Sequence, residues 1–223
     1  MEGRPKILMY EQMHPAGTGL LGEKCDLIYA ESLEEAKIIE QAGPVDGIVI
    51  RANGTVTRTI MESLPNLKVI GRHGVGLEAI DLEAAKEHDI KVVYTPFGNM
   101  ESVAEHFVAL ALMLAKKIRL ADIALRDGYW QARYELIGSE LRGKTLGVMG
   151  FGRIGQQTAR ICRNGFGMNV LYYDVVDFPD TEKELDATKV DPESLFSKAD
   201  FISINLPLLP ATRHVINWDL LQG

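Results

Sequence analysis

Short apolar, β-branched runs alternate along the chain with segments whose apolar residues recur every three or four positions. That alternation predicts a parallel α/β architecture. In the first half the runs Lys6–Tyr10, Asp26–Tyr29, Gly47–Ile50, Lys68–Ile70 and Lys91–Val93 read as strands. Helices are expected between them at Ser32–Gln41, Thr57–Leu64 and Asp81–Glu87. Ser32 with Glu35 has the spacing of a capping box, and Asp81 is placed to cap the third helix.

A second Ser-x-x-Glu pair, Ser102 and Glu105, predicts the start of a long helix reaching about Lys117. Val103, Phe107, Leu110 and Leu114 repeat at helical spacing, and most other faces are apolar too, so burial nearly all round is expected. The apolar stretch Phe107–Ala115 is too short to span a bilayer. From Thr145 the pattern resumes as strand Thr145–Met149, helix Ile154–Phe166, strand Val170–Tyr173, helix Pro192–Phe196 and strand Phe201–Asn205. Asn217 then reads as the N-cap of a last helix beginning at Trp218.

Composition narrows the classes of function. The 223 residues are 46% hydrophobic and 25% charged, as in an ordinary soluble globular protein. A net charge of −7 argues against a nucleic-acid or anionic-membrane partner, both of which would repel it. Two cysteines, Cys25 and Cys162, show no metal-ligand spacing and fit a reducing compartment. Met1–Pro5 runs straight into the first strand-like segment, so no leader peptide is expected.

The sharpest chemical signal is Gly150-Phe151-Gly152-Arg153-Ile154-Gly155, set between a strand and a helix. Gly150 allows the tight turn, Gly152 lets the backbone approach a pyrophosphate, and Gly155 lets helix and strand pack closely. The helix N-terminus offers N–H groups and a positive dipole end to the phosphates. Alone, such a run is no more than a turn. The next strand, however, ends in Asp174, about twenty residues beyond Gly155, where a carboxylate accepts from an adenosine ribose and repels a 2′-phosphate. Together these features predict NAD as the cofactor, in preference to NADP. The segment Asn205–His214, with Leu206, Pro207 and Thr212, follows a strand end and reads equally as a cofactor border or as a rigid proline loop.

Several ordered blocks resemble the D-isomer-specific 2-hydroxyacid dehydrogenases, especially their phosphoglycerate dehydrogenase branch. They are Leu67–Gly76, Ile80–Ala85, Asn99–Glu105, Gly143–Gly155 and Leu206–Thr212, and they span essentially the whole chain. The resemblance implies two doubly wound parallel-sheet domains. Residues 1–98 would be a flavodoxin-like substrate domain and residues 99–223 a Rossmann NAD domain, incomplete at its C-terminus. It implies hydride transfer between NAD and a small 2-hydroxy or 2-keto acid, in a cytoplasmic homodimer joined through the NAD domain. By position, Val75, Arg153, Ile154, Asp174 and Leu206 would line the cofactor. Arg51 and the loop Arg72, His73, Gly74, Val75, Gly76 would face the substrate. Two departures stand out: Glu78-Ala79 replaces the usual Asp-Asn, and Asn53 replaces a second arginine carried by some phosphoglycerate enzymes. One phosphate anchor is thus missing, and 3-phosphoglycerate is not specified.

Hydride transfer to a ketone needs a cation on the carboxylate and carbonyl, a general acid-base, and a carboxylate that orients the base. The family supplies these as an arginine in Asn-x-Ala-Arg-Gly, a later glutamate and a histidine in Pro-His, all beyond the position matching Gly223. No catalytic residue is therefore assigned, and the chain reads as a truncated enzyme. The other reading is a non-catalytic module on the same fold that binds or senses NAD(H). Among the histidines, His73 is the best placed near a substrate; His106 reads as a helix-packing residue, and His14, His88 and His214 as surface residues.

Overall fold

Four-residue runs of β-branched and aliphatic residues form the first sheet, because their alternate side chains have helices to bury against. The computed structural model describes residues 3–222. It divides into two compact units between Asn99 and Met100. The first unit runs β1 (Lys6–Met9), α1 (Pro15–Gly22), β2 (Asp26–Tyr29), α2 (Glu35–Ala42), β3 (Gly47–Ile50), α3 (Arg58–Ser63), β4 (Val69–Arg72), α4 (Leu82–Glu87), β5 (Lys91–Tyr94). All its strands are parallel, in the order β2-β1-β3-β4-β5, which is the flavodoxin-like order. Leu8, Ile48, Ile50 and Ile70 are fully buried in a core with residues of α2, α3 and α4.

The second unit contains α5 (Met100–Ala115), α6 (Ile118–Arg126), α7 (Ala132–Glu135), β6 (Thr145–Met149), α8 (Arg153–Phe166), β7 (Asn169–Tyr173), α9 (Pro179–Leu185), β8 (Ala187–Lys189), α10 (Pro192–Lys198), β9 (Phe201–Ile204) and α11 (Trp218–Gln222). Its parallel sheet has the order β8-β7-β6-β9. That matches the first four strands of the Rossmann order 3-2-1-4-5-6. Leu146, Val148, Ala159, Met168 and Tyr172 form its core. Among the described residues no helix is long and apolar enough to cross a membrane.

Several elements depart from the periodic pattern, each for a local reason. Ser32 does not cap α2: its Oγ accepts from Glu34 N–H at 3.3 Å, making a turn ahead of a helix that starts at Glu35. The Glu35 carboxylate accepts instead from the Thr57 hydroxyl. Ser102 lies inside α5, which already begins at Met100. Asp81 does cap α4, its Oδ1 accepting from Ala84 N–H at 2.9 Å. Asn217 caps α11 in the same way, through Leu220 N–H at 3.0 Å.

The expected all-round burial of α5 is also corrected. Only its small residues Ala104, Ala111 and Ala115 are buried. They lie on a helix that packs against α8, whose own buried positions are also mostly small: Gly155, Thr158, Ala159 and Cys162. Val103, Leu110, Met113 and Leu114 face outward. His106 is exposed rather than packed.

Two parallel strands are tied at their starts by Asp200, just before β9. Its carboxylate accepts from Thr145 N–H at 2.8 Å and from Lys144 Nζ at 2.9 Å. The backbone N–H and the lysine together hold the Asp200 carboxyl below the ordinary aspartate range. A carboxyl lowered on folding adds stability that is fully present above its unfolded value, about 3.9. That contribution is lost as pH falls through the depressed folded value. The melting temperature of Asp200→Asn should therefore lie below wild type at pH 7, with the gap closing as the solution is taken below about pH 3. Parallel melting curves for the two proteins across that range check it; a gap that persists in acid would remove the carboxylate from the account.

Candidate cofactor site

The chain leaves β6 at Gly150 with φ +92°, a conformation that L side chains rarely adopt. A Cβ there would also lie 2.9 Å from the carbonyl carbon of Asn205. Gly155, one turn into α8, packs directly on the Gly150 carbonyl, and a Cβ on it would come 2.8 Å from Val148 Cγ1. Gly152 differs from both. It is the N-cap of α8, and a Cβ there would meet nothing within 4 Å. No side chain caps α8, and its first turn carries no acidic residue. An uncapped helix start behind an open glycine suits an incoming anion.

Phe151, between the first two glycines, anchors the turn from beneath. Its ring is buried and stacks on Tyr172 at 4.0 Å, with Phe178 edge-on at 5.8 Å. Its N–H donates to Asp174 Oδ2 at 2.7 Å, while Asp174 Oδ1 accepts from Val176 N–H at 3.0 Å. Each carboxylate oxygen can accept more than one hydrogen bond, so the acid keeps capacity for a ligand hydroxyl. Sequence reasoning missed Phe151, since an aromatic residue inside a glycine turn carries no phosphate-binding signal.

After β9 the chain forms a loop that closes on itself through Thr212. Its Oγ1 accepts from Leu209 N–H at 2.8 Å and donates to the Pro207 carbonyl. The Thr212 hydroxyl is thus occupied in shaping the loop. Asn205 steadies the loop's root, with its N–H on the Met149 carbonyl at 2.7 Å and Nδ2 on Ser203 Oγ at 3.0 Å.

Gly150, Gly152, Asp174, Leu206, Pro207 and Thr212 line one cavity of about 340 Å³. Asn205, Leu209 and Ala211 of the predicted border segment also line it, as do Tyr173, Val175 and Val215, which the sequence reading did not place at the cofactor. The cavity lies beyond the carboxyl ends of β6, β7 and β9. Between β6 and β9 the strand order reverses direction, which is where ligands of open α/β sheets bind. Arg153 and Ile154 begin α8 beside the cavity without lining it, and Gly155 is buried under the turn. The residues present therefore fit a dinucleotide: an open glycine and helix start for the pyrophosphate, and an acid at the second strand end.

The first unit places its predicted substrate residues at the carboxyl ends of β3 and β4. Arg51 is exposed directly after β3. Arg72 ends β4 and donates from Nε to the Gly76 carbonyl at 2.8 Å, closing the loop through His73, Gly74 and Val75. Arg72 and His73 also border a hollow of about 390 Å³ floored by Val49, Gly71 and Val93. His14 is the N-cap of α1, its Nδ1 accepting from Ala16 N–H at 3.2 Å.

Residues 108–223 match the profile described as D-isomer specific 2-hydroxyacid dehydrogenase, NAD binding domain. The chain belongs to the D-isomer-specific 2-hydroxyacid dehydrogenase family. Hydroxypyruvate reductase of Thermotoga maritima is 40% identical over 215 residues, covering 96% of this chain and 69% of that protein. D-3-phosphoglycerate dehydrogenase of Methanocaldococcus jannaschii is 40% identical over 212 residues, 95% of this chain and 40% of its own length. Across the curated relatives cited, this dehydrogenase-family chain spans between 40% and 69% of the length. Among solved structures, apo D-lactate dehydrogenase of Escherichia coli aligns with a TM-score of 0.78 at 31% identity, covering 96% of this chain and 69% of that one. The family match establishes the NAD-binding character of the second unit.

The two glycines give opposite expectations. Gly155→Ala should cost about 1–3 kcal/mol of stability by overpacking. Gly152→Ala should change stability by no more than about 1 kcal/mol while weakening NADH at least about tenfold. Thermal unfolding and NADH fluorescence titration of both variants check this. Undiminished NADH affinity in Gly152→Ala would mean that no phosphate approaches the turn.

Proposed function

We propose that this chain is the cofactor- and substrate-binding part of an NAD-dependent oxidoreductase acting on D-2-hydroxy acids and the corresponding 2-keto acids. The observation that carries the reading is the single cavity uniting Gly150, Gly152, Asp174 and the Leu206–Thr212 loop at the reversal of strand order. NAD, when bound, accepts or supplies the hydride. The chain's own residues bind and orient. The open backbone at Gly152 and the start of α8 receive the pyrophosphate, Asp174 accepts from the adenosine ribose, and the proline loop walls the cavity. In the first unit, Arg51 and the Arg72–Gly76 loop receive the carboxylate of the hydroxy acid. The 223 residues contain neither an Asn-x-Ala-Arg-Gly nor a Pro-His sequence. We accordingly assign them binding without hydride transfer of their own.

Asp174 sets the choice between cofactors, because its charge opposes a 2′-phosphate. NADH should bind at least about tenfold more tightly than NADPH, and Asp174→Ser should close most of that gap. Fluorescence titration of both nucleotides against both proteins decides the matter. Equal affinities in wild type would remove Asp174 from ribose recognition, and absence of NADH binding would sink the function proposed.

Pairing of two copies through the second unit is also part of the reading. Leu114, Trp130, Tyr134 and Ile137 are 73%, 59%, 62% and 72% exposed, on the α5–α7 stretch and the segment after it. So much outward apolar and aromatic surface within one short stretch marks an interaction face. Light scattering after size exclusion should give the mass of two chains for wild type and of one for Leu114→Arg/Tyr134→Glu. A wild-type monomer with the same NADH affinity would refute the pairing alone.

A further inference from the structure

Three loops of the first unit meet at one sheet edge, because β1, β3 and β4 are neighbours and run parallel. Glu11 lies two residues past β1 and reaches across to the loop after β3. Its Oε2 accepts from Ala52 N–H at 2.7 Å, and its Oε1 accepts from the Asn53 side-chain amide. The same loop is fixed by Tyr10, whose hydroxyl donates to the Thr55 carbonyl at 3.2 Å. The Tyr10 ring lies against Gly54, where a Cβ would come 2.7 Å from Cδ2 and φ is +82°. Residues 52–55 are thus held to the end of β1, with a carboxylate seated on their outward donors.

That carboxylate is ionised. Partial burial pushes its pKa up, but hydrogen bonds from Ala52 and Asn53 and the nearby Arg51 charge outweigh burial and hold it below the usual glutamate range. The adjoining loops carry two arginines, Arg51 and Arg72, and a second acid, Glu78, whose carboxylate lies against Gly76. Formal charges of Arg51, Arg72, Glu11 and Glu78 cancel. A single carboxylate can pair with one arginine in such a setting. A phosphate dianion would find its backbone and amide donors taken by a like charge.

We propose that Glu11 is a specificity-determining residue that excludes phosphate from the loop after β3, so that the substrate is a 2-hydroxy or 2-keto acid with an uncharged far end. The inference rests on placing the substrate at these loops, as in the function proposed above. It adds a residue outside that assignment, Glu11, and a substrate class.

The test uses the whole 223-residue chain, wild type and Glu11→Gln, labelled so that the Ala52 and Asn53 backbone amides are followed by NMR. Glutamine retains an acceptor for Ala52 N–H and removes the charge, and its NH2 group is met by a flip of the Asn53 amide, whose Oδ1 then accepts. Each protein is titrated separately with inorganic phosphate and with D-glycerate. Phosphate should shift the two amides in Glu11→Gln with at least about tenfold higher affinity than in wild type, the effect of one nearby unit charge in a partly solvated site. D-Glycerate should bind both proteins within about threefold, since its carboxylate is assigned to the arginines rather than to Ala52 and Asn53. Phosphate affinity equal in the two proteins, measurable or not, overturns the role of Glu11. D-Glycerate that moves no amide of residues 51–54 or 72–76 in either protein overturns the substrate placement, while the phosphate comparison still decides what Glu11 does.

Discussion

Gly155 rests so closely on the carbonyl of Gly150 that any side chain at Gly155 would force β6 and α8 apart. This contact fixes where the helix axis starts relative to the strand, and hence where the uncapped N-terminus of α8 points. The buried Phe151 ring depends on it, because the turn must stay tight for the ring to reach Tyr172. The root of the loop after β9 depends on it as well, packing where a Gly150 side chain would otherwise be. Remove the close approach and the strand-end acid, the open glycine and the proline loop no longer share one cavity.

Much of this was legible in the sequence because the constraint is written in residue type. Only glycine fits Gly150 and Gly155, so their spacing behind an apolar run announced the turn, and the β-branched runs announced nearly every strand. What the sequence hid was set by partners distant along the chain. Ser32 and Glu35 have capping-box spacing, yet Glu35 is drawn to Thr57 and the helix starts three residues late. The α1 segment, with three glycines and no buried residue, carries no periodic signal. The long helix ends about where the pattern places it, at Lys117 with φ +52°, but the helix α6 that starts directly after it was not expected.

The site was legible to a similar depth. Gly150, Gly152, Asp174 and Leu206 could be named because each stands at a fixed offset from a strand end. Val175 and Val215 stand beside them but bear no chemistry that singles them out. Glu11 was invisible for a different reason. Its meaning comes from Ala52 and Asn53, some forty residues away, and from the parallel register that sets β1 beside β3. The family resemblance drew attention to Asn53 as a substitution, while only the folded chain shows which residue holds it.

The double duty of Asp174 has a consequence for how a ligand is met. Its two oxygens already grip the backbone of the glycine turn and of the segment after β7 before any nucleotide arrives. The entropy of ordering that carboxylate is therefore spent during folding rather than at encounter. Recognition at this end of the cavity works on a rigid receptor, and discrimination between ligands there comes from mismatch rather than from adaptation.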